Sequence, residues 1–561
     1  MIDRFDPLNP RCSSILHGGD YSPEQWLDHP DACREDMRLM KLARCNAMTV
    51  GVFSWSSLEP EEGCFRFEWL DRTMDMLAEN GAYAVLATPS AAQPVWLSQA
   101  YPEVLRTGRD RVRREHGQRV NYCLTSPVYR RKVLRINEEL ATRYKDHPAL
   151  IVWHLSNEYG GECHCDLCRE AFRQWLRHRY ADDLDEVNRR WWTEFWSHHY
   201  TDWSQITPPT PIGECRTHGA NLDWKRFLTD QTIDFMLNEM VPLRRHTPQV
   251  PVTTNFMPYY GGLDYWRFAE HIDVMSWDCY PRWHADDASN ADVASEAAFF
   301  HDIIRTMKAG RPFMMMESTP SVACGWEVLK LKRPGVHLLG SLLAVAHGSD
   351  TVQYFQWRKG RGGSEMHHGA VVDHVGHEGT RIFGEVAEVG KTLERLSGVV
   401  GTTVQPEAAV MLDWENRWAI EDMFALGKGL RKYRETCVAH HRPFWRMGVP
   451  TDGIDSLVDF GRYRLVVAPM LYMLRPGVAE RLTRFVADGG TLVMTYWSGV
   501  VDENVLAITG GWPGGGLREV FGIWNEETDA LYPGDRNRIV MVDGNQLGLS
   551  GQFEVRELAG L

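Results

Sequence analysis

Residues 149–160 read ALIVWHLSNEYG. The run from Leu150 to His154 is short, β-branched and aromatic, which is the pattern of a strand buried on both faces. The polar tail that follows ends in Glu158. A second stretch, residues 311–321, reads RPFMMMESTPS and also closes an apolar run on a glutamate, Glu317. A parallel α/β barrel carries acids to its C-terminal mouth in this way, one at each strand end.

Six more runs of the same kind lie around these two. They are ILHGGDYSPEQW from residue 15, AMTVGVFSW from 47, AYAVLATPS from 82, VPVTTNFM from 250, DVMSWDCYP from 273 and DTVQYFQWR from 350. Between them run amphipathic, helix-like segments such as PDACREDMRLMKLARC, FEWLDRTMDMLAEN, SPVYRRKVLRINEELATRYKD and CREAFRQWLRHRY. Eight strands alternating with helices, joined by right-handed crossovers, predict a (β/α)₈ TIM barrel over residues 1–400. An open doubly wound sheet is the competing fold, and it gives no reason for so many strands to end in polar and aromatic groups.

Near residue 400 the pattern changes. The strands AAVMLDW, YRLVVAPMLYML and GGTLVMTYWSG, with helices over residues 418–447 and RPGVAERLTRFVADG, predict a smaller α/β domain over 401–561, flavodoxin-like or glutamine-amidotransferase-like. No glycine-rich fingerprint opens a helix after its first strand, so a nucleotide role has no support. Cys437 falls inside a helix rather than on a strand-to-helix turn and reads as structural. Packing or assembly is the expected role of this domain.

The charge balance narrows the partners. Lys and Arg number 61 against 75 Asp and Glu, a formal net charge of −14, which argues against nucleic acid and anionic membranes as partners. The N-terminus has no apolar signal-like core and no later stretch has the length to span a bilayer, so the sequence reads as cytoplasmic, with no membrane association.

A pair of strand-end carboxylates suits glycoside hydrolysis. That reaction passes through an oxocarbenium-like state, so one carboxylic acid protonates the leaving oxygen and a second carboxylate attacks or stabilises the anomeric carbon. Glu158 fits the acid, and Asn157 beside it has an amide suited to a sugar 2-OH. Glu317 fits the nucleophile. A separation of about 5–5.5 Å would mean retention of configuration and a wider gap inversion. Both glutamates could instead be ordinary strand-end salt-bridge partners, but two on one barrel, one of them after Asn, favour catalysis.

Cysteine spacing gives a second signal. Cys163, Cys165 and Cys168 form C-H-C-D-L-C just beyond Glu158, and Cys123 lies near the end of the preceding segment. Four thiolates can close a tetrahedral zinc site with no open position for water, hence a structural ion that would pin the loop carrying the acid. His164 stands as an alternative ligand to one of the thiolates.

The segments HGGDYSPEQW, GVFSWSSLEPEEGCFRFEWLD, WHLSNEYG, MMMESTPS and VQYFQWRKGRGGSEMHHG together resemble glycoside hydrolase family 42, the β-galactosidases of the large retaining-hydrolase clan. The resemblance continues through VMLDWENRWAIE, VVAPMLYML and YWSGVVDENVL, so it covers nearly the whole chain. It implies a retaining β-galactosidase with Glu158 as acid/base and Glu317 as nucleophile, acting on a β-galactoside or galacto-oligosaccharide. It also implies sugar contacts from Arg119, Asn157, Trp326, Glu365 and His368, with Tyr280 as an aromatic near the nucleophile, and it agrees with the Cys₄ zinc site. The alternatives are a retaining barrel glycosidase of another glycone (β-glucoside, β-mannoside, β-fucoside or α-L-arabinopyranoside) and a non-catalytic sugar-binding protein.

Two departures from the family pattern stand out. Gly325 precedes Trp326 where the family usually has Asn. The family also continues into a small β-rich C-terminal domain, whereas this sequence stops at GQFEVRELAGL. The expectation is that this domain is absent and the second domain truncated, which bears on the homotrimer that family members commonly form.

Overall fold

Eight parallel strand positions follow one another along the first part of the chain: β1 (Leu16–Tyr21), β2 (Ala47–Val50), β3 (Tyr83–Ala87), β4 (Leu150–His154), β5 (Val252–Thr253, continued by Asn255–Phe256), β6 (Ser276–Asp278), β7 (Met314–Glu317) and β8 (Thr351–Tyr354). The structure is a computed structural model, and it describes residues 4–257, 259–425, 429, 431–532, 534–541, 543–544 and 550–555. Each strand pairs in parallel with the next from β1 to β7, and β1 pairs with β8. The last seam, β7 to β8, is closed by a parallel bridge between Phe313 and Ser349 and by the Ser318 N–H donating to the Gln353 carbonyl at 3.0 Å. The ring is the predicted TIM barrel.

Local chemistry explains several of its elements. The paired glycines of β1 let the neighbouring backbones approach, since a Cβ at Gly18 would lie 1.8 Å from the Ala47 carbonyl oxygen. Ser126 caps the helix Pro127–Tyr144, accepting the Tyr129 N–H at 3.3 Å with Pro127 at the first helical position. At the β6–β7 pairing the register slips by one residue, so that Asp278 faces Glu317 rather than Met316. A bulge of this kind re-aims a side chain at a strand end. Here it brings Glu317 level with Asp278, while Met314 and Met316 stay in the barrel core with Leu16, Ala47, Val85 and Ile151.

The helix His218–His246, at 29 residues, is the longest among the described residues and is absent from the helices read in the sequence. Trp224, Phe227, Phe235, Met236, Met240 and Leu243 are buried on it, and so are Asp223, Arg226, Thr232 and Glu239. A helix buried on several sides, with polar residues among the apolar ones, has no single apolar stripe to reveal it.

The chain forms two units. The barrel unit comprises Met1–Leu184, Tyr200–Cys215 and Asp223–Gln405, and the second comprises Asp185–His199, Arg216–Leu222 and Pro406–Leu561. The second unit holds a parallel sheet of β9 (Ala408–Met411), β10 (Thr451–Ile454), β11 (Leu465–Ala468) and β12 (Thr491–Met494). The sheet order β10-β9-β11-β12 is that of a flavodoxin-like doubly wound fold. The edge strand β10, TDGI, carries an Asp and a Gly and gave no strand signal in the sequence. The single helix expected over 418–447 is two, Trp414–Asp422 and Tyr433–Met447; part of their join, 426–428 and 430, lies outside the described residues, as do the last six residues of the GQFEVRELAGL segment. Cys437 is buried in the second of these helices, and burial pushes its thiol well up, as suits a packing residue. Among the described residues no helix is long and apolar enough to cross a membrane.

Candidate active site

The C-terminal ends of β1, β4, β5, β6 and β7 each present a polar residue: Asp20, Glu158, Asn255, Asp278 and Glu317. One carboxylate oxygen from each of Glu158, Asp278 and Glu317 lies within 4.8 Å of the others. Asn255 is the centre of this group. Its Oδ1 accepts the backbone N–H of Glu158 at 2.9 Å and the Nε2–H of His154 at 3.0 Å. Its Nδ2 faces three acceptors, Glu317 Oε1 at 2.9 Å, Asp278 Oδ2 at 2.8 Å and Asn157 Oδ1 at 3.0 Å. One buried amide therefore sets the backbone of one glutamate and the carboxylate of the other.

Glu158 stands just beyond β4 with φ 45°, and Ser156 with φ 52°. Left-handed backbone at a residue with a side chain costs about 1–3 kcal/mol and persists only where its surroundings hold it. Two bonds do so here: the Ser156 N–H donates to Thr88 Oγ1 at 2.8 Å, and the Glu158 N–H to Asn255. The Glu158 carboxylate, with its side chain 12% exposed, pairs with Arg119 Nη1 at 2.6 Å. Arg119 also lies over the Phe53 ring, 5.9 Å from its centroid.

Glu317 is 7% exposed. Tyr280 donates its hydroxyl to Glu317 Oε2 at 2.7 Å, so each carboxylate oxygen has one donor. Burial, and then the charge of Glu158, push the Glu317 carboxyl up to about 8, against the pull of Tyr280 and Arg119. Burial, followed by the charge of Glu317, also holds the Asp278 and Asp20 carboxyls well above the usual range. Carboxyls this close cannot all ionise together, and such a set shares protons.

The remaining sequence candidates fall in two places. His368 is buried in the loop after β8, edge-on to Tyr280 with ring centroids 5.5 Å apart and to Phe355 at 4.9 Å. Its Nδ1 accepts the Cys324 N–H at 3.3 Å. Burial pulls the imidazole down to about 4, so the ring is neutral and, with Nδ1 accepting, its Nε2 carries the hydrogen. Glu365 is exposed on the same loop, near enough for its charge to raise Glu317 and Asp20. Trp326 stands apart from these contacts: half-exposed, it lies under the Arg282 guanidinium at 5.7 Å and lines a cavity of about 350 Å³ with Thr319, Ser321 and Lys332.

The four cysteines come together. One sulfur from each of Cys123, Cys163, Cys165 and Cys168 lies within 4.8 Å of the rest, with Cys123 3.6 Å from Cys165 and 3.5 Å from Cys168. A tetrahedron with metal–sulfur bonds of about 2.3 Å has edges of about 3.8 Å, so the cluster has the size to hold one ion. The Thr107 N–H donates to Cys163 Sγ at 3.4 Å, the contact a thiolate ligand takes. His164 turns away, with Nε2 3.2 Å from Glu162 and its ring against Trp224. The set is four sulfurs.

A barrel with this pair of strand-end carboxylates, matched along its length, decides the family. The pattern described as "Beta-galactosidase" of glycoside hydrolase family 42 matches residues 20–396, and that described as "Beta-galactosidase trimerisation domain" matches 406–559. The chain belongs to glycoside hydrolase family 42. Among its relatives in this family, the β-galactosidase BglY of Alicyclobacillus acidocaldarius is 57% identical over 98% of this chain and 80% of its own length. GanA, a β-galactosidase of Bacillus subtilis, is 54% identical over 94% of this chain and 79% of its own. Among solved structures, the cold-adapted β-galactosidase of Rahnella sp. R3 superposes with a TM-score of 0.97 at 52% identity, covering 98% of this chain and 81% of that one. The family 42 enzyme Gan42B gives 0.96 at 54% identity, over 99% and 81%.

Asn255, Asp278 and Asp20 were not singled out in the sequence. The rule that found Glu158 and Glu317, a polar residue closing an apolar run, would have found them too, in VPVTTN, DVMSWD and ILHGGD.

Proposed function

We propose that the protein is a retaining β-galactosidase that removes terminal non-reducing β-D-galactose from galactosides or galacto-oligosaccharides. The observation that carries this reading is the approach of Glu158 and Glu317 to within 4.8 Å across the mouth of a family 42 barrel. An approach this close between one oxygen of each suits double displacement, in which the two carboxyls stand about 5–5.5 Å apart, better than inversion, which needs a wider gap.

In the first step Glu317 attacks the anomeric carbon while the proton of Glu158 passes to the glycosidic oxygen. The C–O bond breaks, the aglycone leaves as an alcohol and a galactosyl ester forms on Glu317. In the second step Glu158, now ionised, takes a proton from water, the water oxygen attacks the anomeric carbon and the Glu317 carboxylate is released. Tyr280 and Asn255 hold the two oxygens of Glu317 so that one is presented to the sugar. Glu365, exposed on the loop after β8, adds negative charge beside the ring and so favours the positive charge that develops there at both transition states.

Galactose would be held by Arg119 and Asn157 on the acid side and by His368 Nε2–H and Glu365 on the loop after β8; Trp326, which lines a different cavity, would join them as an aromatic face only if its loop moved toward the mouth. Tyr280 would touch the ring near the nucleophile. Arg119 pairs with Glu158, so a sugar hydroxyl reaching Arg119 would share that guanidinium with the acid. Assays on chromogenic β-galactoside, β-fucoside, β-glucoside and α-L-arabinopyranoside side by side test the glycone: fastest turnover is expected on the galactoside, and fastest turnover on the glucoside would overturn the assignment.

The cysteine cluster would hold a structural zinc ion through Cys123, Cys163, Cys165 and Cys168. Bound there, zinc would cross-link the segment that runs from Arg119 to Cys123 to the loop after Glu158 and leave no open coordination position for chemistry. We assign residues 1–400 to catalysis and 401–561 to assembly, with a homotrimer as the expected state and the cytoplasm as the location. Light scattering and cell fractionation check these two points.

A further inference from the structure

Behind the turn that carries Glu158 lies a buried polar network that the catalytic steps above do not use. Tyr159, the next residue, donates its hydroxyl to Glu239 Oε2, and Ser90 donates its hydroxyl to Glu239 Oε1. The Ser90 carbonyl in turn accepts the hydroxyl of Tyr129, and the Glu239 carbonyl accepts Asn137 Nδ2 at 3.2 Å. Glu239 and Ser90 are fully buried and Tyr159 nearly so, at 3%. Among the described residues no cation bonds to Glu239; the nearby Arg130 pairs with Asp234 at 2.7 Å.

A buried carboxylate without a cation is costly, and burial pushes this one up to about 7. A methionine or leucine would fill the same space at less cost. What only a carboxylate supplies here is an acceptor at each oxygen, one for Tyr159 and one for Ser90. Tyr159 is joined by one peptide to Glu158, whose left-handed φ of 45° is held on its other side by Asn255. We propose that Glu239 is a positioning residue for the acid/base: through Tyr159 it fixes the turn that aims the Glu158 carboxyl at the leaving oxygen. The inference rests on the assignment of Glu158 as acid/base.

Loss of aim at Glu158 has a signature that general loosening of the fold lacks. An aryl leaving group as good as dinitrophenolate departs without a proton, whereas a sugar or alkyl alcohol does not. The experiment measures kcat/KM for Glu239→Gln and Tyr159→Phe across β-galactosides with leaving groups from dinitrophenol to methanol, with thermal melting as a check on folding. The expected result is a fall on the order of 10–100-fold on the poorest leaving groups, little change on the best, and a steeper dependence on leaving-group pKa in both variants. The double variant should lose no more than the worse single one, since both act through one contact. An equal fall on every substrate, or an unchanged leaving-group dependence, would overturn the proposal. If Glu239→Gln fails to fold, Tyr159→Phe decides the matter alone. Glu158→Ala is measured alongside: if it lacks the steep dependence, the acid/base assignment fails, and a wild type inactive on all galactosides points to the glycone.

Discussion

Asn255 donates from Nδ2 to Oε1 of Glu317 at 2.9 Å, and this bond ties the nucleophile to the turn bearing Glu158, whose N–H the same amide accepts. A single side chain from β5 thus sets the relative placement of two carboxylates from β4 and β7. The reaction needs both at once, one to attack and one to give a proton.

Asn255→Ala should therefore cost more than the loss of one substrate contact. We expect kcat to fall on the order of 100-fold, as for a misplaced reacting group, with a smaller change in KM. Steady-state kinetics on a chromogenic galactoside measure this, and a variant with nearly normal kcat would remove Asn255 from the positioning role.

The acidic limb of the rate profile follows Glu317. Its carboxyl must be ionised to attack, and burial with the nearby Glu158 raises it to about 8 from an ordinary 4.5. Removing the Glu158 charge in Glu158→Gln should move the acidic limb of kcat/KM to lower pH on a dinitrophenyl galactoside, which needs no acid. Tyr280→Phe removes a donor that favours the ionised form and should move it to higher pH. Shifts in the same direction for both would contradict the scheme.

The same shift bears on stability. The folded protein holds the Glu317 proton more tightly than the unfolded chain, so this group's contribution is intact below about 4.5 and is lost as pH rises through about 8. Glu317→Gln has no such loss. Its melting temperature relative to wild type should rise across that window, by the equivalent of about 0.5–2 kcal/mol at neutral pH, a gain typical where a site favours function over stability. Melting curves of both proteins at several pH values provide the comparison; a difference that stays flat or shrinks with rising pH counts against it.

The cysteine cluster predicts one tightly held metal ion per chain. Elemental analysis of reduced protein should find zinc near stoichiometry, and Cys165→Ser should lower both metal content and melting temperature. Activity loss on chelation should follow the loss of structure, because the ion touches no reacting atom. Metal-free protein that melts at the wild-type temperature would leave the cluster without this role.

Much of this arrangement was legible in the sequence because barrel strands are short, apolar and closed by polar residues. All eight strands lie where those runs fall, and Glu158, Glu317, Asn157, Arg119, Tyr280 and the cysteines come together as pairs and clusters. The less visible parts share physical causes. Helix His218–His246 is buried on several sides, so no amphipathic period marks it, and Glu239 on it reads as one acid among many. The bulge that sets Glu317 against Asp278 is a one-residue slip of register with no composition of its own. Asn255 sits in a strand split at Thr254, and its importance comes from five partners drawn from β4, β6, β7 and the turn after β4, which only folding assembles. Trp326 lies under Arg282 beside a separate cavity, on the loop where Gly325 departs from the family pattern.

The most direct test of the catalytic account is to trap the covalent intermediate. A 2-deoxy-2-fluoro-β-galactosyl donor with an activated leaving group should inactivate the enzyme with one equivalent of sugar, and mass spectrometry of the digested protein should place that sugar on Glu317 in the MMMESTPS peptide. Labelling of another residue would contradict the assignment of the nucleophile, and turnover to an inverted product with no label would contradict double displacement itself.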